Sequence, residues 1–80
     1  MTLQAVVIGT SAGGVQALSQ VLPRLPADFP APVLVVVHVP PKQSNSLVDL
    51  FAAKCRLPVK EAEDKEPLAP GTIYFAPPDY

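Results

Sequence analysis

Two residues carry reactive side chains in settings that point to chemistry, Ser11 and His38. Ser11 stands in Gly9-Thr10-Ser11-Ala12-Gly13, which fits the pattern G-x-S-x-G. In that pattern the serine occupies the apex of a sharp strand-to-helix turn, and its hydroxyl is open to a carbonyl substrate and a base. The backbone N–H of Ala12 falls near the start of the following helix, where it can face a developing oxyanion. Other readings compete. Serine is a favoured helix N-cap, so Ser11 can simply open the helix. Gly9-x-Ser11-x-x-Gly14 also resembles a dinucleotide fingerprint with its middle glycine replaced, which makes a phosphate cradle the second alternative.

His38 is the single histidine, and it directly follows the apolar run Val33-Leu34-Val35-Val36-Val37. A lone histidine there is commonly structural. Its relation to Ser11 shifts the balance. Neighbouring parallel strands lie ~4.8 Å apart and end on the same edge of a sheet. Ligands of open α/β sheets bind outside those carboxyl ends. A serine after strand one and an imidazole at the end of strand two are within reach of a Ser–His hydrogen bond, which favours hydrolysis over capping. The dinucleotide reading expects an acidic residue near the end of the second strand, and Val37-His38 occupies that place. No G-K-[ST] occurs, which removes a P-loop. The order serine, acid, histidine of ordinary α/β-hydrolases is not met either.

The elements that must hold these residues are legible as apolar patterns. Strand one is expected over residues 4–8. Helix one is expected from near Gly13 to near Leu22, with Val15, Leu18, Val21, Leu22 and Leu25 inward and Pro23 and Pro26 ending it. A proline-punctuated loop follows, anchored by Phe29. Strand two is read over residues 33–37. Two fully apolar strands joined by a helix form a βαβ unit with a parallel, buried sheet. Helix two is expected to open at Ser44 or Ser46, the latter forming a capping box with Asp49, and to bury Leu47, Leu50, Phe51 and Cys55. Strands three and four are expected over residues 58–62 and 72–76. The charged turn between them, Glu63-Asp64-Lys65-Glu66, reads as solvated.

With 80 residues the chain holds one small domain at most. One cysteine excludes an internal disulfide and fits a reducing compartment. The formal net charge of −1 gives no electrostatic footprint for nucleic acid. Neither a secretory signal nor an apolar run of ~20 residues is present, so the expected setting is cytoplasmic, with no insertion into a membrane.

The motifs together resemble a known family. Ile8-Gly9-Thr10-Ser11-Ala12-Gly13-Gly14, then Val37-His38-Val39-Pro40-Pro41, then Glu61-Ala62-Glu63-Asp64, then Tyr74-Phe75-Ala76-Pro77 occur in the order of the catalytic domain of the chemotaxis protein-glutamate methylesterases, CheB. The family reads G-A-S-x-G-G, Q-H-M-P-P, E-A-x-D and A-P-x-D. The resemblance runs from about residue 4 to residue 79. It implies a three-layer α/β/α, doubly wound, Rossmann-like domain with a mainly parallel sheet, here its N-terminal β-α-β-α-β-β portion, with no receiver domain in this chain. It implies Ser11 as nucleophile, His38 as general base and acid, and the Ala12 N–H as an oxyanion donor. The reaction implied is hydrolysis of γ-glutamyl methyl esters on methyl-accepting chemotaxis receptors, with deamidation of glutamine at such sites and with no metal or organic cofactor. The triad aspartate of the family lies in the second half of the domain, and Asp79 is not assigned that role. Thr10 stands where the family often has alanine, Ala12 where it often has threonine, and Val39 replaces methionine. Two readings stay beside this one: a phosphate- or nucleotide-binding module, and an inactive piece that self-associates through an open sheet edge.

Overall fold

The computed structural model describes residues 5–38, 41–63 and 65–76. Residue 4 of the expected first strand, together with Val39, Pro40, Asp64, Pro77 and Asp79, lies outside the described residues. In chain order the elements are strand β1 (Val6–Ser11), a 3₁₀ turn (Ala12–Gly14), helix α1 (Val15–Val21), a second 3₁₀ turn (Leu22–Arg24), β2 (Val33–His38), α2 (Pro41–Lys54), β3 (Val59–Glu61) and β4 (Ile73–Phe75). The expected β-α-β-α-β-β succession is the observed one. The four strands form one sheet in the order β1-β2-β4-β3, each pair parallel.

Alternation along the strands decides which side is packed. Val33 and Val35 of β2 and Ile73 and Phe75 of β4 point to one face. There they meet Leu18 of α1, Leu22 of the second turn, Phe51 of α2, and Leu57. The Phe51 ring stacks on Phe75 with centroids 5.5 Å apart, an offset arrangement that aromatic quadrupoles favour. Both helices therefore cover the same face, and Val6, Ile8 and Phe29 pack against this core from its rim. The opposite face is open at β1 and at the end of β2, half-buried at Leu34 and Val36, and covered at β4, where Tyr74 is buried. Val7, on β1, is 65% exposed. The apolar run of β1 thus corresponds to a strand buried on one side, not on both as its composition suggests.

Several expected boundaries move. β1 continues three residues past Ile8, to Ser11, because Gly9, Thr10 and Ser11 keep pairing with Val36, Val37 and His38. α2 begins at Pro41, ahead of both serines. Proline suits a first helical turn, since its missing N–H would have no partner there. Ser46 then lies inside the helix, and the capping box with Asp49 does not open it. Leu50 and Val21, expected inward, are exposed, while Phe51 is fully buried. Strands β3 and β4 are each three residues long, shorter than expected.

The connection between β3 and β4 is organised, where the sequence reads simply as a solvated turn. The Glu66 carboxylate accepts Lys60 Nζ at 2.5 Å and the Glu63 N–H at 2.9 Å. The Lys60 ammonium, helped by that N–H, holds the Glu66 carboxyl below the usual glutamate range, and the same bond raises Lys60. Tyr74 is buried, and its hydroxyl accepts the Ala69 N–H at 2.8 Å. Gly71 closes the loop at φ 73°, a conformation glycine adopts without steric cost, with its N–H donated to the Ala31 carbonyl. No helix among the described residues is long and apolar enough to cross a membrane.

Candidate active site

Ser11 is the last residue of β1 and His38 the last of β2. Their Cα atoms are register partners across the parallel pair. Register partners on adjacent strands project to the same face, about 4.8 Å apart at the backbone. Val6 and Ile8 point to the core, so Ser11, three residues beyond Ile8, points to the open face, and His38 does so beside it. Both are exposed. The sequence expectation that these two residues share one sheet edge is met, and they also share one side of the sheet.

The local backbone differs from the expected elbow. Ser11 ends the strand, and the turn follows it at Ala12–Gly14. Among the described non-glycine residues only Lys65 has a positive φ, so Ser11 is held without backbone strain. Nor does Ser11 cap helix α1. The N-cap is Gly14, and no side chain bonds there. Among the described residues the Ser11 hydroxyl makes no hydrogen bond, to His38 or to any other group.

The glycines divide sharply. A Cβ on Gly9 would meet nothing within 4 Å, and one on Gly13 would lie 3.8 Å from Ser11 Oγ. A Cβ on Gly14 would sit 1.7 Å from Thr10 Oγ1 and 2.8 Å from Thr10 Cβ. The tight packing of the turn thus runs between Thr10 and Gly14, not at the two glycines of the G-x-S-x-G pattern. This pair was missed in the sequence. The available signal was the second glycine of Gly13-Gly14 at a strand-to-helix junction.

Ala12 opens the 3₁₀ turn, and the first N–H groups of a helical segment have no partner within it. At its first residue, however, the pairing of Ser11 with His38 ties the Ala12 N–H to the His38 carbonyl oxygen, as the Val6 N–H is tied to that of Pro32 at the other end of the ladder. Among the described residues no carboxylate forms an ion pair with His38; the ion pair present is Lys60–Glu66. No three of the described His, Cys, Asp and Glu residues are grouped so as to hold a metal ion. Cys55 follows α2, at the opposite edge of the sheet from Ser11. Burial pushes its thiol up, against the opposing effect of Lys54, which leaves it a poor nucleophile.

A serine and an imidazole paired at one edge of the sheet form an arrangement suited to acyl transfer. A family profile described as CheB methylesterase matches residues 6–80. A protein-glutamate methylesterase/protein-glutamine glutaminase of Halalkalibacterium halodurans is 51% identical over 75 residues, covering 94% of this chain and 22% of the relative. A putative protein of the same name from Leptospira interrogans is 39% identical over 80 residues, covering 100% of this chain and 42% of the relative. The crystal structure of the Thermotoga maritima CheB methylesterase catalytic domain superposes with a TM-score of 0.92 at 45% identity, covering 100% of this chain and 42% of that one. The chain spans less than half the length of each of these proteins. On the match of nearly all its residues, and on a fold shared with a solved relative, this chain belongs to the CheB methylesterase family.

Proposed function

We propose that this chain supplies the nucleophile and the general base of a protein-glutamate methylesterase that also deamidates glutamine. The observation that carries the reading is the register pairing of Ser11 with His38, both exposed on the open face at the carboxyl edge. The substrate is a γ-glutamyl methyl ester on the helices of a methyl-accepting chemotaxis receptor, and the setting is the cytoplasm.

His38 takes the proton of Ser11 as Oγ attacks the ester carbonyl. The oxyanion of the tetrahedral intermediate needs an N–H donor, a role the Ala12 N–H fills only by leaving the His38 carbonyl. Collapse breaks the bond to the methoxy oxygen, which leaves as methanol with the proton held by His38. Water, deprotonated in turn by His38, then cleaves the acyl-serine and returns glutamate and free Ser11. With a glutamine side chain the same steps release ammonia. The absence of a Ser11–His38 hydrogen bond before substrate binding is compatible with this, since such bonds often tighten only in the bound complex. No carboxylate among the described residues forms an ion pair with His38, and the acid that completes the triad is proposed to lie beyond this chain, as the family resemblance implies.

The test is methanol release from methylated receptor by the full reading frame that contains this chain. Ser11→Ala and His38→Ala are each expected to lower turnover at least ~10³-fold, as loss of a triad member does. Release unchanged by Ser11→Ala contradicts the reading.

A further inference from the structure

We propose that Gly13 is a specificity-determining residue: having no side chain, it keeps the space beside Ser11 Oγ clear, and the carbonyl group of the substrate enters there. The proposal rests on the esterase reading and deepens it, since it names the residue that admits the ester and sets the bulk the site tolerates.

Among the described residues nothing else calls for a glycine at this position. Backbone conformation does not. Of the described glycines only Gly71 has a positive φ, so alanine can take the Gly13 backbone without strain. Packing does not call for it either. A Cβ on Gly14 would sit 1.7 Å from Thr10 Oγ1, which accounts for that glycine. A Cβ on Gly13 would have, among the described residues, one neighbour within 4 Å, Ser11 Oγ at 3.8 Å. That is ordinary contact, and the fold accommodates a methyl group there. Gly13 is exposed and lies in the 3₁₀ turn that leads into α1, where helical backbone favours alanine over glycine. A glycine required by neither the backbone nor the packing of its own chain fits a place where a ligand comes close.

The hydroxyl says which part of the ligand that is. Ser11 Oγ is exposed, and His38 stands on its β2 side as register partner. An ester carbon poised for attack lies ~3–3.5 Å from the nucleophilic oxygen. A methyl group 3.8 Å from that oxygen competes with the acyl group for the same surroundings. A branched side chain obstructs it further. The two glycines of Gly13-Gly14 thus have separate duties: Gly14 seats the turn on Thr10, and Gly13 keeps the hydroxyl approachable.

The experiment uses the full reading frame that contains this chain. Methanol release from methylated receptor is measured for the parent, Gly13→Ala and Gly13→Val. Each variant is also labelled with two serine-directed reagents of different bulk, dimethyl and diisopropyl fluorophosphate. Gly13→Ala is expected to lower kcat/KM about tenfold and Gly13→Val about 100-fold, with the unfolding temperature of Gly13→Ala no lower than the parent's. In Gly13→Val the labelling rate should fall at least about tenfold more for the diisopropyl than for the dimethyl reagent. Parent-like kcat/KM in Gly13→Val overturns the proposal. Equal slowing of both reagents overturns it too, because a displaced Ser11 would react slowly whatever the bulk of its partner. So does a lowered unfolding temperature in Gly13→Ala, which would mean that the chain needs this glycine for itself. Should Gly13→Val not fold, Gly13→Ala carries the same pair of reagents. Ser11→Ala in the methanol assay separates the two levels. If it stays active, the esterase reading fails and takes this proposal with it; if it is inactive while Gly13→Val is normal, the role of Gly13 alone fails.

Discussion

The two faces of the sheet are built from strands of nearly the same composition, yet they do opposite work. On the covered face Val33, Val35, Ile73 and Phe75 pack against Leu18, Leu22 and Phe51. On the open face β1 shows Val7, Gly9 and Ser11, and β2 ends in His38. The covered face holds the strands in register. The open face uses that register to set a hydroxyl beside an imidazole. Hydrophobicity alone does not distinguish the two sides of β1. The helices do, because α1 and α2 pack on the same side and leave the other to the chemistry.

Core truncation is expected to break the comparison most severely. Phe51 is fully buried and stacked on Phe75, so Phe51→Ala should cost about 3–5 kcal/mol in denaturant unfolding. A loss below about 1 kcal/mol would mean that α2 is not anchored to the sheet by this ring.

The next effect separates two glycines. Gly14→Ala drives a methyl into Thr10 and should destabilise by about 1–3 kcal/mol, the usual range for overpacking. Gly9→Ala meets open space and should be neutral or slightly stabilising, since glycine weakens a strand interior. Equal effects at the two positions would contradict the view that the turn is clamped at Thr10–Gly14.

A smaller contrast lies within the strands. Val35 is buried and Val7 is 65% exposed. In the 80-residue chain, Val35→Thr should cost about 1–3 kcal/mol by burying a hydroxyl. Val7→Thr should stay within about 0.5 kcal/mol, as surface changes usually do. Similar costs would show that the face of Val7 is covered in solution.

The smallest effect is a pH dependence at the β3–β4 connection. The Glu66 carboxyl is lowered by its bond to Lys60. Its stabilisation is therefore present above the ordinary glutamate range and lost as pH falls through the lowered value. Lys60 is raised by the same bond, so its share is present below the ordinary lysine range and lost as pH rises through the raised value. Exposed pairs of this kind contribute little. Glu66→Gln should flatten the unfolding midpoint slightly at both ends of the pH scale and leave the Ser11 site unaffected. An unaltered profile would remove the pair from the account.

The parallel βαβ frame and the Ser11–His38 edge were legible because continuous apolar runs, one helix between them and the parallel crossover rule leave few alternatives. The unbroken run Val33-Leu34-Val35-Val36-Val37 carries that signal. What was not legible has physical reasons. β1 runs on to Ser11 because pairing with β2 outweighs the turn propensity of Gly9. α2 opens at Pro41 because proline is tolerated there, and this overrode the more familiar serine caps. Leu50 and Val21 fell outward because apolar residues at imperfect helical spacing cannot all face one sheet. The Glu66 bonds and the Thr10–Gly14 clamp depend on three-dimensional proximity that spacing alone does not encode.

The most direct measurement is covalent. A fluorophosphonate, which reacts with an activated serine, is added to the full reading frame and the modified peptide is identified by mass spectrometry. The account predicts one adduct, on Ser11, forming far more slowly when His38 is replaced by alanine. An adduct on another residue, or labelling of Ser11 at the same rate without His38, would contradict it.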